Sequence, residues 1–321
     1  MRAIVHNTYG SPDVLEYQEI EKPELTDDGV LVRVRAASIN PADWYSLTGK
    51  PYLARIRFGL PKPKSNRLGI DYAGTVEAVG RDVTAFHIGD EVFGGESGAL
   101  ADYVCVRDEF VSKPANLTFE EAAAVPVAAI TALQGLRDKG KIRPGQKVLI
   151  NGASGGVGTF AVQIAKVLGA EVSAVCSPRN VELVRSLGAD HVIDYTREDF
   201  TRSDQHYDLI LDVAGSKSWS QCRRVLKPGA TLVVVGAPKG NALLGPLSHI
   251  AKVCLASLRS SQKVVFFMAK INQADMMVLR ELLESGKVKP VIDRCYELNE
   301  MADAFRYLGE GHAQGKIILT F

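Results

Sequence analysis

Residues 147–179, KVLINGASGGVGTFAVQIAKVLGAEVSAVCSPR, constrain the fold more than any other part of the chain. Residues 148–150 form an apolar run of the kind found in strands buried on both faces. A glycine-rich turn follows at once. Beyond it, Ala161, Ile164, Ala165 and Leu168 recur at helical spacing until Gly169 stops the helix. AEVSAVC is then a second apolar strand. Strand, tight turn, helix and strand make one βαβ unit, which needs further parallel strands beside it and helices on both faces.

The alternation continues. NVELVRSLG predicts a helix ending on Gly188, HVID a third strand, YDLILDVAG and ATLVVVG further strands, and KVVFFMA closes the series. Ahead of the series, VLVRVRAASIN, YAGTVEAVG, GDEVFG and ALADYVCVRDEFV are short strand-like runs punctuated by glycine, so this region is β-rich. Between the two lies TFEEAAAVPVAAITALQGLRDKG, which reads as helical, capped by Thr118 with Glu120 and Glu121 in its first turn. Helices at ADMMVLRELLESG and NEMADAFRYLGEG and a last strand KIILTF break the pattern. They are expected to return to the β-rich region. The fold class is α/β with two domains, as a length of 321 residues suggests.

The turn itself indicates a ligand. Read as GxGxxG, its positions are Ala153, Gly155 and Gly158, with strand, helix and second strand in the right places. Gly155 lets backbone amides approach a pyrophosphate, and Gly158 lets the helix pack close to the strand. The opening of the helix then offers free N–H groups and a partial positive charge. Thr159 follows the last glycine where a mononucleotide P-loop would need lysine. An NAD site normally ends its second strand on an acid that accepts from the ribose 2′-OH. Here that position is Ser177, with Arg179 just beyond. A carboxylate would repel a 2′-phosphate, whereas a hydroxyl and a guanidinium hold one, so the expected cofactor is NADP(H).

Composition narrows the remaining classes. A formal net charge of +1 offers no field of one sign to nucleic acid or an anionic membrane. Five cysteines, Cys105, Cys176, Cys222, Cys254 and Cys295, lie far apart with no CxxC pair, which fits reduced thiols in a cytoplasmic protein. MRAIVHNTYG alternates like a strand and carries no signal core. NALLGPLSHIAKVCLASLRSSQ contains Pro246, His249, Lys252 and Arg259, so no integral membrane segment is expected. Leu243, Leu247, Ile250, Ala251, Cys254, Leu255 and Leu258 there are expected to form one buried apolar stripe.

SINPAD, GIDYAGTVEAVG, GDEVFG, AAAVPVAAITALQGL, GASGGVG, LGADHVIDY and GHAQGKIIL run nearly end to end. Together they resemble the zinc-independent quinone oxidoreductase branch of the medium-chain dehydrogenase/reductase superfamily. Within it, the chain is most similar to the subgroup of reticulon-4-interacting and plant chloroplast-envelope and enone oxidoreductases. The resemblance implies a GroES-like β-rich catalytic domain from residues 1–121 and 269–321. It implies a Rossmann doubly wound parallel sheet over 122–268, with the active site in the cleft between them, and a homodimer. Position by position, Ser154, Gly156 and Val157 would line the pyrophosphate and ribose, and Ser177 and Tyr195 would meet the 2′-phosphate end. Asn40 and Thr131 would flank the nicotinamide. Gly236, Ala237 and Phe267 would border its half of the site, and His312, Ala313 and Gln314 would touch the cofactor from the tail.

Zinc-containing relatives supply a cysteine near the start and a His-Glu pair after a glycine. The matching places here are Asn40 in SINPAD and Asp71 in GIDYAG. A structural zinc needs four closely spaced cysteines, and the N-terminal β region holds only Cys105. No metal is expected. Without one, only hydrogen-bond donors can steady the charge that hydride transfer creates, which suits a quinone or an enone or enal that delocalises it. Tyr45 and Tyr52 in PADWYSLTGKPY resemble the family's cleft tyrosines and are candidate proton donors; Asp43 would orient its neighbours. Two other readings compete: an NADPH-binding module with a structural, sensing or partner-binding role, and an enoyl-thioester reductase. The second would use the basic run Lys50, Arg55, Arg57, Lys62, Lys64 and Arg67 for a carrier's phosphate.

Overall fold

Every strand read from the sequence forms in the computed structural model, which describes residues 1–237, 245–257 and 260–321, the side chains of Arg57 and Leu247 apart. The chain begins with β1 (Arg2–Val5) and β2 (Glu16–Glu19), an antiparallel pair. Then come β3 (Val30–Ile39), α1 (Pro41–Thr48), α2 (Arg55–Phe58), β4 (Asp71–Val79), β5 (Glu91–Gly95), β6 (Tyr103–Val106) and β7 (Phe110–Ser112). α3 (Phe119–Ala123) and α4 (Pro126–Leu133) follow, the second running into a π-helical turn at Gln134–Lys139. The next stretch holds β8 (Lys147–Asn151), α5 (Gly156–Val167), β9 (Glu171–Cys176), α6 (Val181–Ser186), β10 (His191–Asp194) and β11 (Tyr207–Asp212). It goes on through α7 (Trp219–Arg224), β12 (Leu226–Val234), α8 (Pro246–Ser257) and β13 (Lys263–Phe266). α9 (Gln273–Glu284), β14 (Ile292–Glu297), α10 (Met301–Glu310) and β15 (Lys316–Thr320) complete it.

Two units result: Met1–Ile130 with Ile271–Phe321, and Thr131–Lys270. In the first, one sheet runs β14-β15-β3-β4-β5-β7, with β6 also on β3. The tail returns as expected, because β15 pairs antiparallel with β3 and sets Ile317 opposite Ile39. Val32, Tyr72, Val92, Phe110, Phe305 and Leu319 fill the core between this sheet and α10. The boundary expected after residue 121 falls nine residues later by position. α3 buries Ala122 and Ala123 and packs on β3 and β4, so it belongs with the sheet. The single helix expected over 118–140 is broken at Pro126, which lacks an N–H and disfavours helical backbone at Val125.

The second unit holds a parallel sheet in the order β10-β9-β8-β11-β12-β13. β8 and β11 lie side by side, and the chain winds outward from them in opposite directions. The carboxyl ends of these two strands are the topological switch point, where folds of this class bind ligands. The apolar stripe expected near α8 needs correction. Ile250 and Val253 face the core, whereas Ala251 and Leu255 are exposed. Leu243 and Leu258 lie outside the described residues.

Candidate active site

The glycine-rich turn sits at the carboxyl end of β8. The amides of Gly152 and Ala153 donate to the Val175 carbonyl (3.2 and 3.0 Å), which ties the turn to β9. Gly155 is the N-cap of α5, with φ −82° and ψ 174°. A Cβ on Gly158 would lie 2.1 Å from the Gly152 carbonyl oxygen, so the helix could not approach with any other residue there. At Gly155 the nearest atom to such a Cβ is 3.7 Å away, which leaves open space before the turn. The first-turn amides, on Gly156, Val157 and Gly158, have no intrahelical acceptors.

The residues assigned to the 2′ end follow the carboxyl ends of β9 and β10. Ser177 follows β9, and its Oγ is buried without a hydrogen-bond partner among the described residues. Asn180, 4% exposed, was missed by sequence reasoning. It precedes α6 and reads as a helix cap, yet its side chain makes no cap. Its Nδ2 instead donates to Ser154 Oγ at 2.8 Å, and its Oδ1 is buried and unpartnered. Tyr195 follows β10, its amide on the Cys176 carbonyl (3.2 Å) and its ring exposed. Arg179 is exposed on the short Pro178–Asn180 turn. Asp194 is the nearest acid in register, paired with Cys176 across the sheet. Thr196 holds its carboxylate below the usual range through its amide and hydroxyl. A buried hydroxyl, a buried amide acceptor and an unfilled space at the turn fit the ribose of a dinucleotide.

The switch point carries a second pair that sequence reasoning missed. Asn151 Nδ2 donates to Asp212 Oδ1 at 2.7 Å, and the Gly215 amide donates to the same oxygen at 2.8 Å. Burial pushes the Asp212 carboxyl up to about 6. The Gly236 amide donates to the Asp212 carbonyl (3.1 Å), which sets Gly236 and Ala237 beyond β12. Phe267 lies just past β13 with Lys139 Nζ 5.7 Å from its ring centre. Thr131 is half-buried on α4. Burial raises the thiols of Cys176 and Cys222 to about 11 and about 12, so neither is a nucleophile.

In the first unit, strand register builds a buried polar centre. Ser38 and Asp71 are cross-strand partners on β3 and β4. Pairing Ile317 with Ile39 brings Lys316 beside Asn40. Asp71 Oδ2 accepts from Ser38 Oγ (2.6 Å), Asn40 Nδ2 (3.0 Å) and Lys316 Nζ (3.1 Å), and Oδ1 from the Val127 amide (2.9 Å) at the start of α4. Lys316 Nζ also donates to Asn40 Oδ1 at 2.6 Å. An ammonium can only donate, so this contact fixes which end of the Asn40 amide is oxygen. Asp43 accepts from the amides of Asn40 (2.8 Å) and Gly69 (2.9 Å), which aims α1. Burial holds its carboxyl at about 6 despite those two donors. Asn40, Asp71 and Lys316 are 3%, 0% and 4% exposed. The lysine was missed because a cation beside Gly315 at a strand start reads as solvated.

The other candidates are placed more loosely. Tyr45 is half-buried on α1, and burial raises its phenol. Tyr52 is exposed, with the Arg55 guanidinium 4.8 Å from its ring centre. His312 is exposed, Ala313 packs on the core, and the Gln314 amide donates to Asp293 Oδ2 (2.7 Å). Among the described residues no cluster of histidine, cysteine and carboxylate side chains could hold a metal.

Two family models match: the alcohol dehydrogenase GroES-like domain over residues 26–116 and the zinc-binding dehydrogenase over 187–319. The chain is 35% identical to a 2-methylene-furan-3-one reductase of Solanum lycopersicum, over 99% of this chain and 79% of that protein. It is 36% identical to the mitochondrial NAD(P)H oxidoreductase RTN4IP1 of Mus musculus, over 100% of this chain and 89% of the other. The quinone oxidoreductase from Coxiella burnetii superposes with a TM-score of 0.88 at 30% identity, covering 100% of this chain and 99% of that one.

Proposed function

This chain belongs to the medium-chain dehydrogenase/reductase superfamily, and from that premise we propose that it reduces quinones or α,β-unsaturated carbonyls with NADPH and without zinc. Membership makes it an oxidoreductase of a nicotinamide cofactor and a small-molecule substrate. The observation that carries the finer reading is the buried centre of Asn40, Asp71 and Lys316. The two positions that match metal-ligand places in zinc-containing relatives are engaged by an ammonium, so a cation is already there.

NADPH, when bound, supplies the hydride. The amides of residues 156–158 would hold its pyrophosphate. Ser177 offers a buried hydroxyl to the 2′-phosphate and Arg179 a guanidinium, each charge-assisted contact contributing about 1.5–3 kcal/mol, while Asn180 Oδ1 can accept only from a ribose hydroxyl. Lys316 and Asp71 take the Asn40 oxygen and one Nδ2 hydrogen, so what Asn40 has left to offer is an N–H. That donor steadies a developing oxyanion less than a metal ion would. The acceptor must therefore spread the charge itself, as an enone, an enal or a quinone does. The Tyr45 phenol, like any tyrosine's, is protonated at neutral pH, and burial only raises it further; it can donate, and Tyr52 is the second candidate.

The test is NADPH oxidation followed by absorbance against quinones, short enals, long enones and an enoyl thioester, with NADH in parallel and with chelator present. Turnover of the first three classes, faster with NADPH and unaffected by chelation, is expected. Equal kcat/KM with NADH refutes the 2′-phosphate assignment. A silent panel with NADPH still bound moves the chain to a non-catalytic binding role.

A further inference from the structure

Tyr52 apart, the run KPYLARIRFGLPKPKSNR (residues 50–67) has no part in the chemistry above. It holds six cations and no acid in a chain whose formal net charge is only +1, so the remainder of the chain is net negative. It also displays large apolar side chains. Tyr52 is 46% exposed, Leu53 41%, Ile56 73% and Leu60 67%. Four such residues fall within nine of sequence, denser than the singly scattered ones normal on a surface.

The display is held in place. Tyr9 donates its hydroxyl to the Gly59 carbonyl at 2.8 Å. The Arg55 guanidinium sits over the Tyr9 ring, 4.4 Å from its centre, and donates to the Gly49 carbonyl at 2.9 Å. The Lys64 amide donates to the Phe58 carbonyl at 2.6 Å. These ties close residues 49–64 onto themselves with Ile56 and Leu60 outward.

The same contacts sort the cations. Arg55 is held between aromatic rings, and Arg67 is half-buried with Nη2 on the Gly98 carbonyl at 2.8 Å. Neither is free to clamp a carrier's phosphate. Lys50, Lys62 and Lys64 are exposed in the same run as the exposed apolar residues. Exposed aliphatic side chains interspersed with long flexible lysines in one run are what an anionic lipid surface selects: acyl chains take the aliphatics and headgroup phosphates the lysines. A phosphate carrier needs no aliphatic cap.

We infer that residues 50–64 form an interfacial anchor, seating Leu53, Ile56 and Leu60 in an anionic bilayer with Lys50, Lys62 and Lys64 against its phosphates. The anchor rests on the loop alone and holds whatever the reaction. Co-sedimentation with extruded vesicles tests it. The full chain should sediment with phosphatidylcholine vesicles containing about one third phosphatidylglycerol, stay in solution with phosphatidylcholine alone, and dissociate as salt is raised. Lys62→Ala and Lys64→Ala should each weaken binding about fivefold, the effect of about 1 kcal/mol per lysine at such a surface. Ile56→Ser with Leu60→Ser should abolish sedimentation while circular dichroism and melting stay unchanged. No sedimentation of the parent chain, or sedimentation indifferent to the double serine variant, overturns the inference. So does a change of oligomeric state in that variant, which would show that a second copy covers the patch.

Discussion

Replacing Lys316 with methionine keeps the length of the side chain and removes its charge. The variant deletes the 2.6 Å bond to Asn40 and the 3.1 Å bond to Asp71. Removing one partner of a buried ion pair costs about 3–5 kcal/mol, because the other charge is left uncompensated. Asp71 keeps three donors, from Ser38, Asn40 and the Val127 amide, so the low end, about 3 kcal/mol, is expected. With a urea slope of about 2 kcal/mol/M, the midpoint of the first unit should fall by roughly 1–2 M. The two tryptophans allow this to be read cleanly, since Trp44 belongs to the first unit and Trp219 to the second. A Trp219→Phe background leaves Trp44 fluorescence as the reporter. Adding Asp71→Asn removes the stranded charge. The Asn40 amide, no longer held by Lys316, can then turn its oxygen to the side-chain N–H that this second substitution introduces. Stability should return by about 2 kcal/mol or more, whereas kcat should stay about a hundredfold down because the Asn40 donor now points elsewhere. A loss under about 1 kcal/mol in Lys316→Met, or recovery of activity together with stability in the double variant, would refute the reasoning.

Further predictions concern the cofactor turn and acid stability. Gly155→Ala should fold and melt like the parent but weaken NADPH binding at least tenfold by fluorescence titration, because its methyl enters open space. Gly158→Ala should instead lower the melting temperature. Arg179→Ala should narrow the preference for NADPH over NADH by about tenfold or more, the worth of one charge-assisted contact. Ser177→Asp should invert that preference. His6 is fully buried, and burial lowers its pKa below the ordinary 6.5 against the opposing pull of a hydrogen bond to the Thr8 backbone. The native state therefore binds fewer protons than the unfolded one. Its contribution is intact above about pH 6.5 and is lost as pH falls through that value toward the folded pKa. The buried carboxyls of Asp43 and Asp212, raised to about 6, act in the opposite direction, so the histidine is read as a difference: between about pH 7 and pH 5 the parent should lose melting temperature relative to His6→Leu.

The alternation of strand and helix was legible because parallel strands buried on both faces are written as unbroken apolar runs, such as VLI at 148–150 and LIL at 209–211. The glycine turn was legible because chain geometry there tolerates few residues. What escaped was whatever depends on register between distant segments. Lys316 and Asn40 meet only because β15 lies beside β3 with Ile317 against Ile39. Asn180 looks like a helix cap until its side chain is seen on Ser154. Asn151 and Asp212 each end an apolar strand, a signal that becomes a pair only once β8 and β11 are neighbours. The α8 stripe was misjudged because leucine and alanine mark a buried face no more reliably than the valine between them.

The buried centre also has a timetable. Asp71 leaves the ribosome 245 residues ahead of the lysine that balances it. At about 5–20 residues per second, the carboxylate waits roughly 12–50 s for its cation. During that interval β3 presents an unpaired edge where β15 will dock, an invitation to strand-by-strand association between nascent chains. The second unit is contiguous and can close on its own while the first still lacks its last strand. A stop codon placed just before β15 should thus yield insoluble protein in which residues 131–270 resist protease and the rest does not.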